Sequence, residues 1–161
     1  MRPFIIIWES TFACDPACKH CRANSDIFRS PEEPQEEAKE LLDQIKSFGF
    51  SPPIFIITGG DPFKRDDIFS IAEYGKLIGI PVSFSPSATP LFTDDKIELM
   101  KKVGLKAVSL SLDGPDERTH DEFRGSLIIS SLITFKTLSF SGGISFVAVT
   151  HTIFSSTPKY S

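Results

Sequence analysis

A chain of 161 residues fits one domain and can bury a sizeable core. Its formal net charge of −4 and isoelectric point near 5.4 argue against a nucleic-acid partner, and no basic stripe with interleaved aromatics appears. Three cysteines, an odd number with no secretory signal ahead of them, argue against a disulfide framework.

The first element in chain order is an apolar run, Phe4 to Trp8, that reads as a buried strand. It is too short for the apolar region of a signal peptide and meets Glu9, so the protein reads as cytoplasmic. All three cysteines follow, in Cys14-Asp15-Pro16-Ala17-Cys18-Lys19-His20-Cys21, spaced Cys-x3-Cys-x2-Cys. A loop leaving a strand can fold three sulfurs around one point. Three thiolates suit an iron–sulfur cluster, although most protein clusters take four cysteines. A four-iron cube held by three leaves one iron open to a small molecule, as a catalytic zinc keeps an open position. A zinc site of three cysteines plus His20 is the main rival. His20 adjoins Cys21, however, which makes it awkward for both to reach one tetrahedral centre, and there is no second Cys-x2-Cys pair. Three unrelated buried thiols are the remaining alternative. Lys19 and Arg22 bring positive charge that favours thiolate, and suit a solvated loop equally well.

Next comes a polar stretch, Ala23 to Ser30, then Pro31-Glu32-Glu33-Pro34, prolines and acids suited to a helix start. Ala38, Leu41, Leu42, Ile45 and Phe48 recur at helical spacing and Gly49 ends the run. Ile54-Phe55-Ile56-Ile57 is a continuous apolar run of the kind found in parallel strands buried on both faces. A second helix is expected from about Asp66, with Ile68, Ile71, Ala72 and Leu77 on one side and Gly79 as stop. Pro81 to Ser85 is a third strand. Thr93 reads as the N-cap of a third helix carrying Ile97, Met100 and Val103 and ended by Gly104. Ala107 to Leu112 is a fourth strand, and Ile144 to Val149 a candidate fifth, after a poor helix over Leu127 to Phe140. The alternation implies right-handed βαβ units in a parallel sheet or barrel. Beyond Gly125 the only charged residues are Lys136 and Lys159, and serine becomes frequent. Thr137 to Phe154 carries no formal charge, but its many Ser, Thr and Gly residues argue against a membrane helix.

Ligands of parallel α/β folds collect at the carboxyl ends of strands. The second strand ends in Thr58-Gly59-Gly60-Asp61-Pro62, where two glycines let the backbone approach a ligand; a simple turn is the alternative. Ser85-Pro86-Ser87-Ala88-Thr89-Pro90 forms a hydroxyl-rich loop after the third strand, a substrate contact or a plain turn. On the fourth, alternation puts Ser109, Ser111 and Asp113 on one face, where buried polar groups need partners and a ribose would supply them.

The cysteine spacing directly after a first strand resembles the signature loop of the radical S-adenosylmethionine (radical SAM) enzymes. The segments Leu112-Asp113-Gly114 and His120-Asp121-Glu122-Phe123-Arg124-Gly125 resemble its SPASM-type and haem-biosynthesis branch. The resemblance implies that Cys14, Cys18 and Cys21 hold a [4Fe-4S] cluster whose fourth iron chelates SAM. It implies that Gly59, Gly60 and Asp61 hold the SAM amino group, Asp61 standing where glutamate is usual. Ser109, Ser111 and Asp113 would contact the nucleoside half. Arg124 would take the carboxylate, since a guanidinium fork suits it. His120 reads as a structural hydrogen bonder rather than a base. One electron, from a donor such as ferredoxin or flavodoxin, would cleave SAM to methionine and a 5′-deoxyadenosyl radical. That radical would take hydrogen from a tetrapyrrole precursor or a peptide.

Family members close a (β/α)6 partial barrel, and the SPASM branch adds a cysteine-rich domain. The resemblance here runs from about Phe4 to Gly125, and no cysteine follows Cys21. The expectation is therefore an α/β protein, an incomplete parallel (β/α) barrel of four to five βα units. Residues 1–125 would form the core, and 126–161 a divergent continuation that makes no separate domain. Such a chain reads as the front part of a longer enzyme, cut near residue 125 or completed by a complementary chain. Two other functions compete: a non-catalytic iron–sulfur or zinc-binding remnant that needs a partner, and an α/β binding module with incidental cysteines.

Overall fold

The computed structural model describes residues 2–15, 18, 21, 23, 25, 31–87, 89–113, 116–124 and 145–150, with only the backbone of Ser111, Leu112, Glu117 and 145–150. Five strands form one parallel sheet in sequence order: β1 (Ile5–Glu9), β2 (Ile54–Thr58), β3 (Val82–Phe84), β4 (Ala107–Leu112) and β5 (Ser145–Thr150). Helices α1 (Gln35–Lys46), α2 (Ile68–Leu77) and α3 (Asp94–Lys102) make the first three crossovers, and α4 (Glu117–Arg124) follows β4. The expected parallel α/β architecture is present, fifth strand included. The expected helix over Leu127 to Phe140 lies outside the described residues, as does the remainder of the tail beyond Thr150.

Strand pairing sets which side chains share a face. Phe55 pairs with Val82 and Ile57 with Phe84, which pairs in turn with Val108. With Trp8 they form one side of the core, against Leu42 and Ile45 of α1, Ile68 and Ile71 of α2, and Ile97 and Met100 of α3. Phe63, from a single 3-10 turn (Pro62–Lys64), packs edge-on to Phe84 at 6.0 Å and lies 5.9 Å from Phe92. Truncating a fully buried ring such as Phe84 removes roughly 3–5 kcal/mol.

Among the described residues the apolar run of β2 is better covered on one face than on the other. Phe55 and Ile57 are fully buried, whereas Ile54 and its β1 neighbours Ile5 and Ile7 are 42%, 51% and 59% exposed. Continuity of apolar residues thus overstated burial, because a pleated strand turns alternate side chains to opposite faces.

The helices start and stop for local reasons. Thr93 caps α3, its hydroxyl accepting from Lys96 N at 3.4 Å. Acids open α1 and α3 and lysines close them, matching the helix dipole. Gly49, Gly79 and Gly104 take left-handed conformations just past the helix ends. Two expectations fail. Phe48 lies beyond the end of α1 and is 39% exposed. Leu77 is 79% exposed, because nine residues at about 100° each carry it to the far side of α2 from Ile68. Gly75 fills the inner position instead, and a Cβ there would strike Val82.

Candidate functional site

The β1–β2 pairing does not stop at the strand ends. Ser10 N donates to Thr58 O at 2.9 Å, Gly60 N to Thr11 O at 2.7 Å, and Asp61 N to Ala13 O at 2.8 Å. The first half of the cysteine loop is therefore stitched to the segment after β2. This explains the glycines. A Cβ on Gly59 would sit closer than 3.0 Å to Thr11 O, and one on Gly60 equally close to Ala13 O, both fixed backbone atoms. Gly59 also has φ +123°, a conformation that side chains rarely adopt. The close approach these glycines permit is to the cysteine loop itself.

This stitching delivers Cys14, which is buried, to the top of the sheet. Its Sγ lies 3.4 Å from Ser87 Oγ, and that hydroxyl lies 3.0 Å from the Gly60 carbonyl oxygen. Cys18 and Cys21 are half-buried and share a turn, Cys21 N donating to Cys18 O at 3.0 Å. Ser25 N donates to Cys21 Sγ at 3.3 Å. Burial pushes the Cys14 thiol up to about 11; the Ser87 hydrogen bond opposes this, and Asp61, Cys18 and Cys21 add to it. Burial also raises Cys18, with Arg124 opposing.

Three sulfurs within range of one another's charge, one buried and two half-buried, would repel as free thiolates. A metal centre between them would offset that repulsion, so the donor set fits a positively charged, thiophilic group. Among the described residues no three Cys, His, Asp or Glu side chains converge on a single ion position. Lys19, His20 and Arg22 lie outside the described residues.

The other expected site residues divide into two groups. Asp61 is fully buried and faces inward: Oδ1 accepts from Phe63 N at 3.1 Å and Oδ2 from Thr89 Oγ1 at 2.7 Å. Burial raises its pKa, opposed by those two hydrogen bonds. It caps the 3-10 turn and ties the β2 loop to the β3 loop. Gly59, Gly60 and Asp61 thus meet the cysteines as scaffold, through hydrogen bonds and packing.

Asp113 and Arg124 form the second group. Arg124 Nε donates to Asp113 Oδ2 at 2.5 Å, and Nη1 lies 3.9 Å from Cys18 Sγ. The Asp113 side chain is fully buried, yet Oδ1 has no hydrogen-bond partner among the described residues. An orphaned acceptor there fits a ligand hydroxyl or a water. His120 Nδ1 accepts from Asp113 N at 3.0 Å, the structural role expected of it, and burial lowers its pKa. Ser109 is half-buried on β4. The side chain of Ser111 and the residues Gly114 and Gly125 lie outside the described set.

Sequence reasoning missed three contributors. Arg65 anchors both flanks of the cysteine loop. Ser87 touches Cys14, a specific role within a loop that had been read as either a turn or a substrate contact. The helix α4 was also missed, although Asp116 marks its start: Oδ1 accepts from Thr119 N at 2.9 Å.

Fold and site together define a parallel α/β protein with three thiols gathered at the carboxyl ends of its strands. The chain belongs to the Radical SAM superfamily, whose family model matches residues 8–153. It is 42% identical over 122 residues to the AdoMet-dependent heme synthase of Nitratidesulfovibrio vulgaris, covering 75% of this chain and 32% of that protein. The AdoMet-dependent heme synthase of Methanosarcina barkeri is 39% identical over 124 residues, covering 76% and 35%. The chain spans about a third of the length of these curated relatives. Among solved structures, Streptococcus suis SuiB bound to the precursor peptide SuiA superposes with a TM-score of 0.66 at 22% identity, covering 78% of this chain and 28% of that one. BtrN in complex with AdoMet and 2-DOIA gives 0.62 at 16%, covering 94% and 58%. At those identities the likeness concerns the fold. Among the described residues no helix is long and apolar enough to cross a membrane.

Proposed function

We propose that the chain carries the cluster- and SAM-binding half of a radical SAM enzyme that acts on a tetrapyrrole precursor. The observation that carries this is the cysteine loop: three thiols in the family's spacing, held at the strand ends by a backbone ladder that only glycines at 59 and 60 permit. In this reading Cys14, Cys18 and Cys21 bind three irons of a [4Fe-4S] cluster. A cluster held there beside SAM would supply one-electron reductive chemistry for hydrogen abstraction from the substrate.

The chain's own residues bind and orient. Ser87 fixes the rotamer of Cys14. Arg124, its Nε kept by Asp113, presents the rest of its fork toward Cys18 and the SAM carboxylate. The Asp113 oxygen that has no partner among the described residues would, with Ser109, contact the nucleoside, and Ser111 is assigned there on its place in the sequence alone. Gly59 offers its backbone to the amino end, while Gly60 and Asp61, whose polar groups are engaged, serve that end through the loop they brace. The names of the heme-synthase relatives favour a tetrapyrrole over a peptide substrate. A low-potential donor such as ferredoxin or flavodoxin would deliver the electron, in the reducing cytoplasm. Residues 1–125 form the core of this reading and 126–161 its continuation. A complementary segment or chain would complete the barrel.

The test is anaerobic reconstitution with iron and sulfide. The expected product is a brown protein whose reduced-cluster EPR signal changes on adding SAM. A colourless protein that retains zinc would overturn the proposal. A cluster indifferent to SAM would favour a non-catalytic cluster-binding role.

A further inference from the structure

We propose that Arg65 is a positioning residue for the cluster loop, joining its two ends so that three cysteines are held within reach of one centre. The inference rests on the cluster-binding reading above. Arg65 follows the 3-10 turn and is 2% exposed, so its charge needs partners. A guanidinium carries five N–H donors, and here every one has an acceptor. Nε donates to Asp67 Oδ1 at 2.7 Å; Nη1 donates to Ser10 O at 3.1 Å and Glu33 Oε2 at 3.4 Å. Nη2 donates to Glu33 O at 2.7 Å and Asp67 Oδ2 at 3.1 Å. Its face stacks 5.0 Å from the Trp8 ring, and Trp8 Nε1 donates to Glu33 Oε1 at 3.4 Å.

Two of these acceptors give the cluster its meaning. Ser10 is where the chain leaves β1 for the cysteines, and Glu33 is where it returns to enter α1. Their carbonyls bind one rigid plane, which is anchored by Asp67 at the start of α2. The segment carrying the sulfurs is thereby closed into a loop before any metal arrives. Without the clasp, the conformational entropy of closing that loop falls on metal binding. Lysine cannot substitute, having one nitrogen and no fork.

The full chain, with Arg65→Lys and Asp67→Asn variants, would be reconstituted anaerobically and challenged with an iron chelator. Loss of the cluster's visible absorption would be timed while apo-protein melting is recorded in parallel. Arg65→Lys is expected to lose its cluster about tenfold faster, the scale of one charge-assisted hydrogen bond. Asp67→Asn, which keeps one acceptor oxygen for Arg65, should fall between, folded but with a lowered apo melting temperature. Cluster loss at the wild-type rate in both variants overturns the inference, even if their melting points drop. Should Arg65→Lys fail to fold, Asp67→Asn decides alone by the same measure. A wild-type chain that takes up no iron overturns the function reading and this inference with it. A wild-type cluster matched in durability by both variants overturns only the clasp.

Discussion

The two ends of β2 make opposite use of the same residue types. At the end where the chain leaves α1, Phe48 to Pro53 form a loose surface turn: Phe50 is 99% exposed, and Gly49 and Ser51 take positive φ beside a cavity of about 560 Å³ lined by Lys46, Phe50, Pro52 and Gly79. At the other end, Thr58 to Asp61 are hydrogen-bonded to the cysteine loop along their backbone, and Asp61 is wholly buried. A glycine at the first end satisfies a torsion angle, whereas a glycine at the second makes room for another chain segment. Tolerance to change should differ accordingly.

The largest effect is expected from Gly60→Ala. The added carbon meets Ala13 O and the carbonyl carbons of Ala13 and Phe12, none of which can rotate away. Displacing the loop should destabilise the fold by about 3 kcal/mol or more, in the upper tail of single substitutions, and abolish iron uptake. Gly49→Ala, by contrast, adds a carbon 3.6 Å from a flexible Arg2 side chain and pays only for its φ of +91°, about 1–2 kcal/mol. Urea midpoints of the two variants measure the contrast; equal losses would refute it.

A smaller effect concerns pH and the β4 end of the site. Burial holds the His120 pKa below its ordinary value, and neutral Nδ1 is what accepts from Asp113 N. The unfolded chain then binds the proton more readily than the folded one. Stability is full above about pH 6.5, the unfolded value, and falls as the pH drops through that value toward the folded pKa. His120→Gln, which keeps an acceptor, should flatten that slope between pH 7.5 and 5.5 without altering stability at the upper end. An unchanged slope would remove His120 as its source.

Much of this was legible in the chain. Strand and helix alternate with clear periods, and Thr93 and Gly104 bracket α3 with ordinary capping chemistry. The cysteine spacing and the Gly-Gly-Asp segment could be paired because both fall at strand ends. What pattern could not reveal was direction. Asp61 was expected among the ligand-facing groups, but its two oxygens are engaged by Phe63 and Thr89. The Phe63 bond is a local cap two residues on, whereas Thr89 comes within reach only through folding. Arg65 was invisible because Ser10 and Glu33 are distant in sequence and reach it through tertiary structure. Leu77 shows a simpler failure, an apolar residue counted to a face without following the helical angle.

The smallest effect lies at the loose end and tests whether that end is strained or merely exposed. Ser51 has φ +63°, left-handed backbone that a residue with a Cβ occupies at a cost of roughly 1–2 kcal/mol. Ser51→Gly relieves this but gives the unfolded chain more freedom, a loss of roughly 0.5–1 kcal/mol. The difference leaves a net stabilisation of about 0.5 kcal/mol, a rise of about 1–2 °C in melting temperature at this chain length. Cluster uptake should be unchanged, because Ser51 is at the far end of β2 from the cysteines. A stabilisation accompanied by altered iron loading would mean that the two ends of β2 are coupled. The division between a permissive end and a fixed one would then fail.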